Sequence, residues 1–412
     1  MKKWLKPTIV VLLAWATYVI SITDRMAWAP VIPLASAEMG ITAAQAGLYM
    51  TAFYVGYVLT QFPGGLLTDR IGYRKVLLGS IGIVAIFTIA MYFVKSFEMG
   101  LIVRFLAGLG SGAIFSAATT SIIDHIPAQR RGLAIGFLMT ATSLGITFAN
   151  IIVPTVADHF GWRTAFLAVG CFPILGFILS FFFMKESSNY VERKSVKETT
   201  NFWQDTLTIL KNKKIIIVGL AGFGGTWAAI GTATWANSYL NNSLGLTLVQ
   251  AGSIMAFYGM AGLIVKPLIG FISDYMNKKV IAFWALFLFA PVLVWFGMNT
   301  ITNFTYLLIL TIILGTASFM YSPIMTTIIG ETVEPRLVGG ALGLVNGIWQ
   351  LGALASPLIM GMVIDQTGSY LLVFITLAAG PFVGAIIMLF LGSGKSKTYK
   401  ETSDGDHLKK AI

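Results

Sequence analysis

Residues 65–75 read Gly65-Leu66-Leu67-Thr68-Asp69-Arg70-Ile71-Gly72-Tyr73-Arg74-Lys75, and a shorter version of this stretch returns in the second half of the 412-residue chain. The second copy, Gly270-Phe271-Ile272-Ser273-Asp274-Tyr275, begins 205 residues after the first and leads into a basic pair, Lys278-Lys279. A second set of matches has an offset of 207 residues and pairs Gly136 with Gly343, Gly145 with Gly352, Asp158 with Asp365 and Gly161 with Gly368. This repetition predicts a duplicated structural unit.

The composition places both units in a membrane. Hydrophobic residues make up 56% of the chain, charged residues 11%, and the mean hydropathy is +0.80. These values are far from those of a soluble globular domain. Stretches of roughly 20 or more mostly apolar residues, long enough to span a bilayer, occur at 8–32, 44–67, 76–94, 99–123, 132–156, 163–184, 215–239, 248–273, 279–298, 304–329, 339–363 and 370–392. The predicted fold class is all-α integral membrane, with twelve transmembrane helices in two pseudo-symmetric six-helix bundles.

A polar segment divides the chain between the two units. Residues 185–214 carry seven basic and four acidic residues and no spanning run. The predicted organisation is an N-terminal six-helix bundle at 1–184, a cytoplasmic linker at 185–214, a C-terminal six-helix bundle at 215–392 and a cytoplasmic tail at 393–412. Residues 202–210 form either a short interfacial helix or ordinary connector structure.

The distribution of Lys and Arg predicts the orientation. With the N-terminus inside, the predicted cytoplasmic segments hold 23 of the 28 Lys and Arg residues. The predicted outer loops hold Lys95 and Arg163. This bias is typical of cytoplasmic loops, so we expect a multi-pass protein of the cytoplasmic (inner) membrane with both termini cytoplasmic. The net charge of +11 then results from the Lys and Arg residues of the cytoplasmic loops, and we expect no nucleic-acid partner. Its partners are the lipid bilayer and a small solute, and we expect a monomer.

Charges within the apolar runs point to the solute. Arg25, Arg104 and Lys266 interrupt spanning stretches, and Asp24 is the one carboxylate at comparable depth. An ionised group in hydrocarbon is costly unless it faces a protein-lined cavity, so such residues mark a transport pathway. Because the excess is cationic, we expect an anionic cargo.

The quoted stretch, Gly65 to Lys75, resembles the loop between spans two and three of major facilitator superfamily transporters, with Tyr73 in place of a usual basic residue. Arg104 together with Gly108-Leu109-Gly110-Ser111-Gly112 resembles the arginine-glycine motif of their fourth span. The resemblance implies the superfamily fold and alternating access between two halves. The residues that it implies in gating are Gly65, Asp69, Arg70, Arg74, Arg104 and Asp274. The alternative is a cluster of charges that only sets the orientation of the chain in the membrane.

Arg104 is expected near the outer end of its span, in a structural or gating role rather than as a ligand.

Within the superfamily, Tyr18 to Arg25 and Ala52 to Gly65 resemble the anion:cation symporter family, whose first span carries an Asp-Arg pair. The resemblance implies that Arg25 contacts a substrate carboxylate, which a guanidinium can bind with two hydrogen bonds. The alternative is an internal pair with Asp24. Adjacent helical residues do not face each other, which disfavours that pair.

The coupling mechanism stays open. Ser111 stands near the position of the glutamate that is usual in proton-coupled members of that family. Asp24 is then the candidate coupling residue, with a proton or sodium as the ion, because a buried carboxylate can exchange protons. Exchange of one anion for another and uniport remain alternatives.

Lys266 resembles the basic residue of oxalate:formate exchangers and monocarboxylate transporters that precedes a span-eight glycine by four positions, here Gly270. Arg25 and Lys266, one in each half, are predicted to hold one anion between them. The alternative is that Lys266 extends to the membrane interface. The other predicted substrate-binding residues are Tyr57, Gln61, Trp349 and Gln350, because amphipathic rings and amides often orient small ligands.

The sequence therefore predicts a secondary active transporter of a small organic anion, most simply a carboxylate, by symport or antiport. A phosphate-type antiporter and a transporter-like anion sensor remain as alternatives. We expect no catalytic residues, no cofactor and no metal site, because no metal-ligand spacing or nucleophile-base pairing is present.

Overall fold

The computed structural model describes residues 2–184, 202–334 and 337–392, and within these ranges it contains helices and no β-strand. The helices of the first half are α1 Lys2–Met26, α2 Ile32–Met39, α3 Ala43–Ile71, α4 Tyr73–Ala90, α5 Phe97–Ser111, α6 Ile114–His125, α7 Ala128–Phe160 and α8 Trp162–Phe183. Those of the second half are α9 Phe202–Lys211, α10 Lys213–Asn242, α11 Leu248–Tyr275, α12 Lys278–Met298, α13 Phe304–Thr332, α14 Val338–Thr367 and α15 Tyr370–Leu389.

The described helices account for twelve membrane crossings. Eleven helical segments are long and apolar enough to cross a membrane, and two of them combine α1 with α2 and α5 with α6. The twelfth crossing is α3, which has 29 residues and spans about 43 Å at 1.5 Å per residue. Its glycines, tyrosines and glutamines make it less apolar than the others. The predicted all-α, twelve-helix membrane fold is confirmed.

Two predicted spans are interrupted. The first, predicted at 8–32, is helical only to Met26, and a 3₁₀ turn at Ala29–Val31 then leads into α2. Pro30 and Pro33 lie at this break, and proline lacks the N–H that a continuous helix needs. The fourth, predicted at 99–123, breaks between Ser111 and Ile114, in a glycine-rich stretch of low helix propensity.

Part of the predicted linker is a helix. Helix α9 buries Ile209, which is 3% exposed, in an apolar cluster that includes Leu337 at the start of α14. Residues 185–201 of the linker and the tail from 393 to 412 lie outside the described residues.

Two hydrogen bonds define the ends of the bundle. Nη2 of Arg74, at the start of α4, donates to the carbonyl of Phe181 near the end of α8 (2.8 Å). Nζ of Lys279, at the start of α12, donates to the carbonyl of Leu389 at the end of α15 (2.9 Å). The starts of α4 and α12 therefore lie at the same end as the last residues of each half. We call this the terminal end, and the opposite end the distal end.

Glycines allow α3 and α5 to pack backbone to backbone. A Cβ atom on Gly56 would lie 2.2 Å from the carbonyl oxygen of Phe105, and one on Gly108 would lie 2.1 Å from that of Phe53. Small residues permit such close approach in membranes, where apolar burial alone does not drive helices together. This contact holds the stretch around Phe53 against α5.

We predict that Gly108→Ala destabilises the protein. The methyl group would overlap the Phe53 carbonyl, and overpacking of this kind costs about 1–3 kcal/mol. Gly79→Ala in α4 is the matched control, because a Cβ there would meet no atom within 4 Å. Thermal unfolding in detergent should show a lower melting temperature for Gly108→Ala and an equal or higher one for Gly79→Ala. Equal melting temperatures for the two variants would contradict the proposed contact.

Candidate functional site

Arg104 holds the end of α1. Its side chain is 1% exposed. Nη1 donates to the carbonyl of Asp24 (3.3 Å) and Nη2 donates to the carbonyl of Arg25 (2.9 Å). Because α1 ends at Met26, the Arg25 carbonyl has no partner further along the helix, whereas the Asp24 carbonyl also accepts from the N–H of Ala27 (3.2 Å). A positive charge at a helix C-terminus is favourable. The guanidinium therefore fixes where the backbone of residues 24 and 25 lies.

Asp24 is fully buried beside Arg104. Its Oδ1 accepts a hydrogen bond from the Thr88 hydroxyl of α4 (2.6 Å). Its Oδ2 is buried and has no hydrogen-bond partner among the described residues. Arg104 and Arg25 are the described cations that interact electrostatically with this carboxylate.

Arg25 turns to a different neighbour, the aromatic face of α3. Its guanidinium carbon lies 4.0 Å from the ring centroid of Tyr57, 5.6 Å from that of Tyr54 and 5.9 Å from that of Phe53. The residue is 5% exposed. Its Nε and Nη2 are buried without a hydrogen-bond partner in the part of the chain that the structure describes. Asp24 and Arg25 therefore contact different helices, α4 and α3.

Lys266 lies at the boundary between the halves. Its Nζ is 4.9 Å from the ring centroid of Phe319, and within the described ranges it has no hydrogen bond or ion pair. One turn earlier in α11, a Cβ on Gly262 would lie 2.4 Å from the Ser143 hydroxyl of α7 and 2.8 Å from the Phe319 ring. The ammonium group is thus about one helical turn from the contact of α11 with the first half. No contact between Lys266 and Arg25 is present in the described structure.

The other predicted binding residues are distributed over both halves. Tyr57 lies under Arg25. Gln61 and Gln350 are half-buried, and their side chains form no hydrogen bond within the described residues. Trp349 donates from Nε1 to the carbonyl of Val218 (3.3 Å) and meets the Tyr321 ring edge-on at 6.2 Å.

The predicted gating residues, apart from Arg104, lie at the terminal end. Gly65 faces Ser116 of α6, at 3.8 Å from an added Cβ. Asp69 and Arg70 are exposed at the end of α3, and Arg74 is bound to the Phe181 carbonyl. Asp274 belongs to α11, and its side chain lies outside what the structure describes.

Sequence reasoning missed several partners of the buried charges. Phe53, Thr88 and Phe319 are not among the predicted site residues, although each contacts one of them. The run Phe53-Tyr54 followed by Tyr57 in α3 was the available signal, because aromatic rings at helical spacing suit a buried cation. Thr88 and Phe319 stand in apolar spans with nothing in the sequence to mark them.

The two halves meet closely in the distal part of the bundle. A Cβ on Gly47 of α3 would lie 2.2 Å from the Pro357 carbonyl oxygen of α14, and one on Gly252 of α11 would lie 2.4 Å from the Asn150 carbonyl oxygen of α7. Nearer the terminal end, Cβ atoms on glycines of these same helices would meet no atom within 4 Å, as at Gly136, Gly270 and Gly343. The halves are therefore closed together at the distal end.

Comparison with known proteins identifies the family. The Major Facilitator Superfamily matches residues 14–294 and, in an overlapping match, 236–411. The chain belongs to this superfamily of membrane transporters. A hexuronate transporter of Bacillus subtilis is 28% identical over 400 residues, covering 92% of this chain and 95% of the relative. A probable sulfoacetate transporter of Cupriavidus necator is 28% identical over 392 residues, covering 91% of each.

A solved structure of similar fold is a bacterial homologue of the human lysosomal transporter Spinster, in an inward-facing and unoccupied conformation. It superposes with a TM-score of 0.77 at 17% identity and covers 94% of this chain and 95% of its own. This likeness supports the fold.

We predict that Asp24 and Arg104 stabilise the protein as a pair. Arg104→Gln should lower stability by about 3–5 kcal/mol, because it leaves a buried carboxylate without its compensating charge. Adding Asp24→Asn should recover much of that loss. Melting temperatures of both single variants and the double variant test the coupling. Additive effects of the two substitutions would show that the side chains act independently.

Proposed function

We propose that this protein transports a small organic anion with a carboxylate group by alternating access. The observation that carries the proposal is the environment of Arg25: a buried guanidinium with two unpartnered nitrogens, seated on three aromatic rings. An uncompensated buried cation is costly, and a bound anion supplies the missing charge.

The chemistry of the free nitrogens favours a planar oxyanion. Nε and Nη2 form one edge of the guanidinium, and two parallel N–H groups on that edge match the two oxygens of a carboxylate. The Tyr57 ring at 4.0 Å covers one face of the group and holds its orientation. Binding then needs little rearrangement of Arg25.

Lys266 is the proposed second contact. It is unpaired within the described residues and lies at the boundary of the opposite half, so an anion between the halves can interact with both cations. Tyr57, Gln61, Trp349 and Gln350 are proposed to line the site and to select the rest of the substrate. Simultaneous attraction of the two halves to one anion would favour closure around it.

The similar proteins support this cargo class. Their names specify a hexuronate and sulfoacetate, and both of these compounds carry a carboxylate. The positive-inside distribution supports a location in the cytoplasmic membrane with both termini cytoplasmic. On that orientation the terminal end faces the cytoplasm, and the close contact between the halves at the distal end lies on the outer side. Gly65, Asp69, Arg70, Arg74 and Asp274 then lie on the side of the inner gate.

A test of the anion site is the pair of charge-neutral variants Arg25→Gln and Lys266→Gln. Each should weaken binding of the transported carboxylate by roughly 30-fold or more, since removing one partner of a buried charge pair costs about 2–5 kcal/mol. The measurement is uptake of labelled hexuronates and of sulfoacetate into proteoliposomes, together with thermal-shift titration of the purified protein. Organophosphates and inorganic phosphate in the same panel test the antiporter alternative.

Lys95→Gln is the matched control for these variants. It removes one positive charge from an exposed position in the distal loop after α4 and should leave uptake unchanged. The unliganded Arg25→Gln protein should melt no lower than the parent, because it loses an uncompensated charge. Wild-type uptake by Arg25→Gln would refute the assigned role. Saturable binding without uptake in the parent would instead favour a sensor.

The coupling proposal makes a separate prediction for Asp24. If its carboxylate carries the coupling proton, Asp24→Asn should abolish uptake driven by an imposed pH gradient while exchange of internal for external substrate continues. Parallel assays with proton gradients, sodium gradients and preloaded substrate distinguish symport from exchange. Gradient-driven uptake by Asp24→Asn at the parent rate would exclude Asp24 as the coupling residue.

A further inference from the structure

The distal ends of α3 and α11 begin with the same sequence pattern. Thr42 to Gly47 and Thr247 to Gly252 share Thr-x-x-Gln-Ala-Gly, at the same offset of 205 residues as the repeat of residues 65–75. Both copies form a capping box, in which the threonine hydroxyl accepts from the backbone N–H of the glutamine and the glutamine side chain accepts from the threonine N–H.

The two copies also make equivalent contacts across the halves. Gly47 packs on the Pro357 carbonyl, and Gly252 packs on that of Asn150, the position related to 357 by the offset of 207. The Thr51 hydroxyl donates to the Leu354 carbonyl (2.7 Å). In the other pair, the Thr147 hydroxyl donates to the Ala256 carbonyl (3.2 Å). The distal closure therefore consists of two related seals, one between α3 and α14 and one between α7 and α11.

The seals differ at their outermost turn. In the first, Asp365 of α14 accepts from the backbone N–H of Ala43 through Oδ1 and from that of Ala44 through Oδ2, both at 2.8 Å. In the second, the equivalent carboxylate is Asp158 of α7. It is exposed and has no hydrogen bond or ion pair within the described parts of the chain, and the N–H groups of Leu248 and Val249 have no acceptor there.

We propose that Asp365 is a latch that holds the distal gate closed by capping a helix of the other half, and that Asp158 has no such role in this conformation. The capping box of α3 satisfies the N–H of its third residue and leaves the first two to Asp365, so the carboxylate completes the cap. Its negative charge also faces the positive end of the helix dipole.

The geometry ties this cap to one conformational state. Gly361 lies one turn before Asp365, and a Cβ there would be 2.4 Å from the Ala43 carbonyl oxygen, so the two helices touch at this point. Hydrogen bonds of 2.8 Å cannot survive separation of α3 from α14 by a few ångströms. Water can replace these bonds once the helices separate, so their net free energy relative to the hydrated groups favours the distal-closed state over the distal-open state.

The test measures the opening of the distal gate directly. Spin labels at Lys95→Cys and Thr300→Cys, in exposed distal loops of the two halves, are introduced into a Cys171→Ser background in lipid nanodiscs. Asp365→Ala should raise the ratio of long to short inter-label distances tenfold or more. Asp158→Ala, which removes the equivalent carboxylate, should leave the distances unchanged. Unchanged distances in Asp365→Ala, or equal shifts in both variants, would overturn the proposal.

A second pair of variants removes a donor instead of the charge. Ala43→Pro deletes one capped N–H at a position where helices tolerate proline, and Leu248→Pro is its counterpart in α11. Ala43→Pro should shift the distances in the same direction as Asp365→Ala, and Leu248→Pro should not. These measurements use no substrate, so failure of the latch leaves the anion-transport proposal intact. Conversely, absence of carboxylate uptake would not affect the latch.

Discussion

The hydrocarbon of a bilayer offers no hydrogen-bond partners for charged side chains or free backbone groups, so the protein must supply them. At the end of α1, most of these partners come from neighbouring helices. Arg104 donates to the carbonyls of Asp24 and Arg25 at the end of this helix, next to the buried Asp24 side chain. Thr88 anchors that carboxylate from α4. Contacts from α4 and α5 to the end of α1 thereby fix the backbone from which Arg25 extends. Helix α3 supplies the aromatic rings against which the Arg25 guanidinium packs. Among the described residues here, Asp24 Oδ2, Arg104 Nε and two nitrogens of Arg25 are buried without a hydrogen-bond partner, and Arg25 contributes an edge of two adjacent donors, which is where we propose that an anion binds.

The duplicated architecture fits the proposed exposure of the site to each side in turn. Seals of the same design join α3 to α14 and α7 to α11, so each half contributes one copy of the Thr-x-x-Gln-Ala-Gly turn and one partner helix. Glycine at positions 47 and 252 brings backbones into contact, and contacts between backbones are either made or lost when rigid halves rotate. Rotation of the halves would therefore break these contacts rather than deform them gradually, as a two-state switch requires. A difference in capping between otherwise equivalent seals means that they need not release together.

Much of the fold could be predicted because its determinants are local. Runs of apolar residues give the spans, and the repeat of residues 65–75 at 270 gives the duplication. The helix interruptions near Pro30 and Gly112 were harder to predict. The pattern of apolar residues continues across them, because the breaks come from a missing N–H or a flexible backbone and not from a change in polarity. In the candidate site, the sequence identified the charged residues but not the side chains that contact them. Nothing local marks Thr88 as the residue opposite Asp24, because that pairing depends on how α4 packs against α1. Asp365 appeared in the sequence only as a repeat position, and its contact with Ala43 required both halves in three dimensions.

Arg25 and Arg104, the two arginines within spans of the first half, differ in how many hydrogen-bond donors each leaves unused among the described residues. Arg104 directs both terminal nitrogens to backbone carbonyls of fixed position, so replacing those bonds with a mobile anion would uncap α1. The guanidinium carbon of Arg25 lies over the Tyr57 ring, and ring faces attract a cation without using its N–H donors. Its edge therefore remains available even though the residue is buried. Contact with aromatic rings lowers the free-energy cost of a permanent charge inside the membrane and leaves its N–H groups able to bind an anion. A carboxylate partner would instead neutralise the charge and occupy those N–H groups. The same reasoning applies to Lys266 on Phe319, so the aromatic rings belong to the proposed anion site together with the cations.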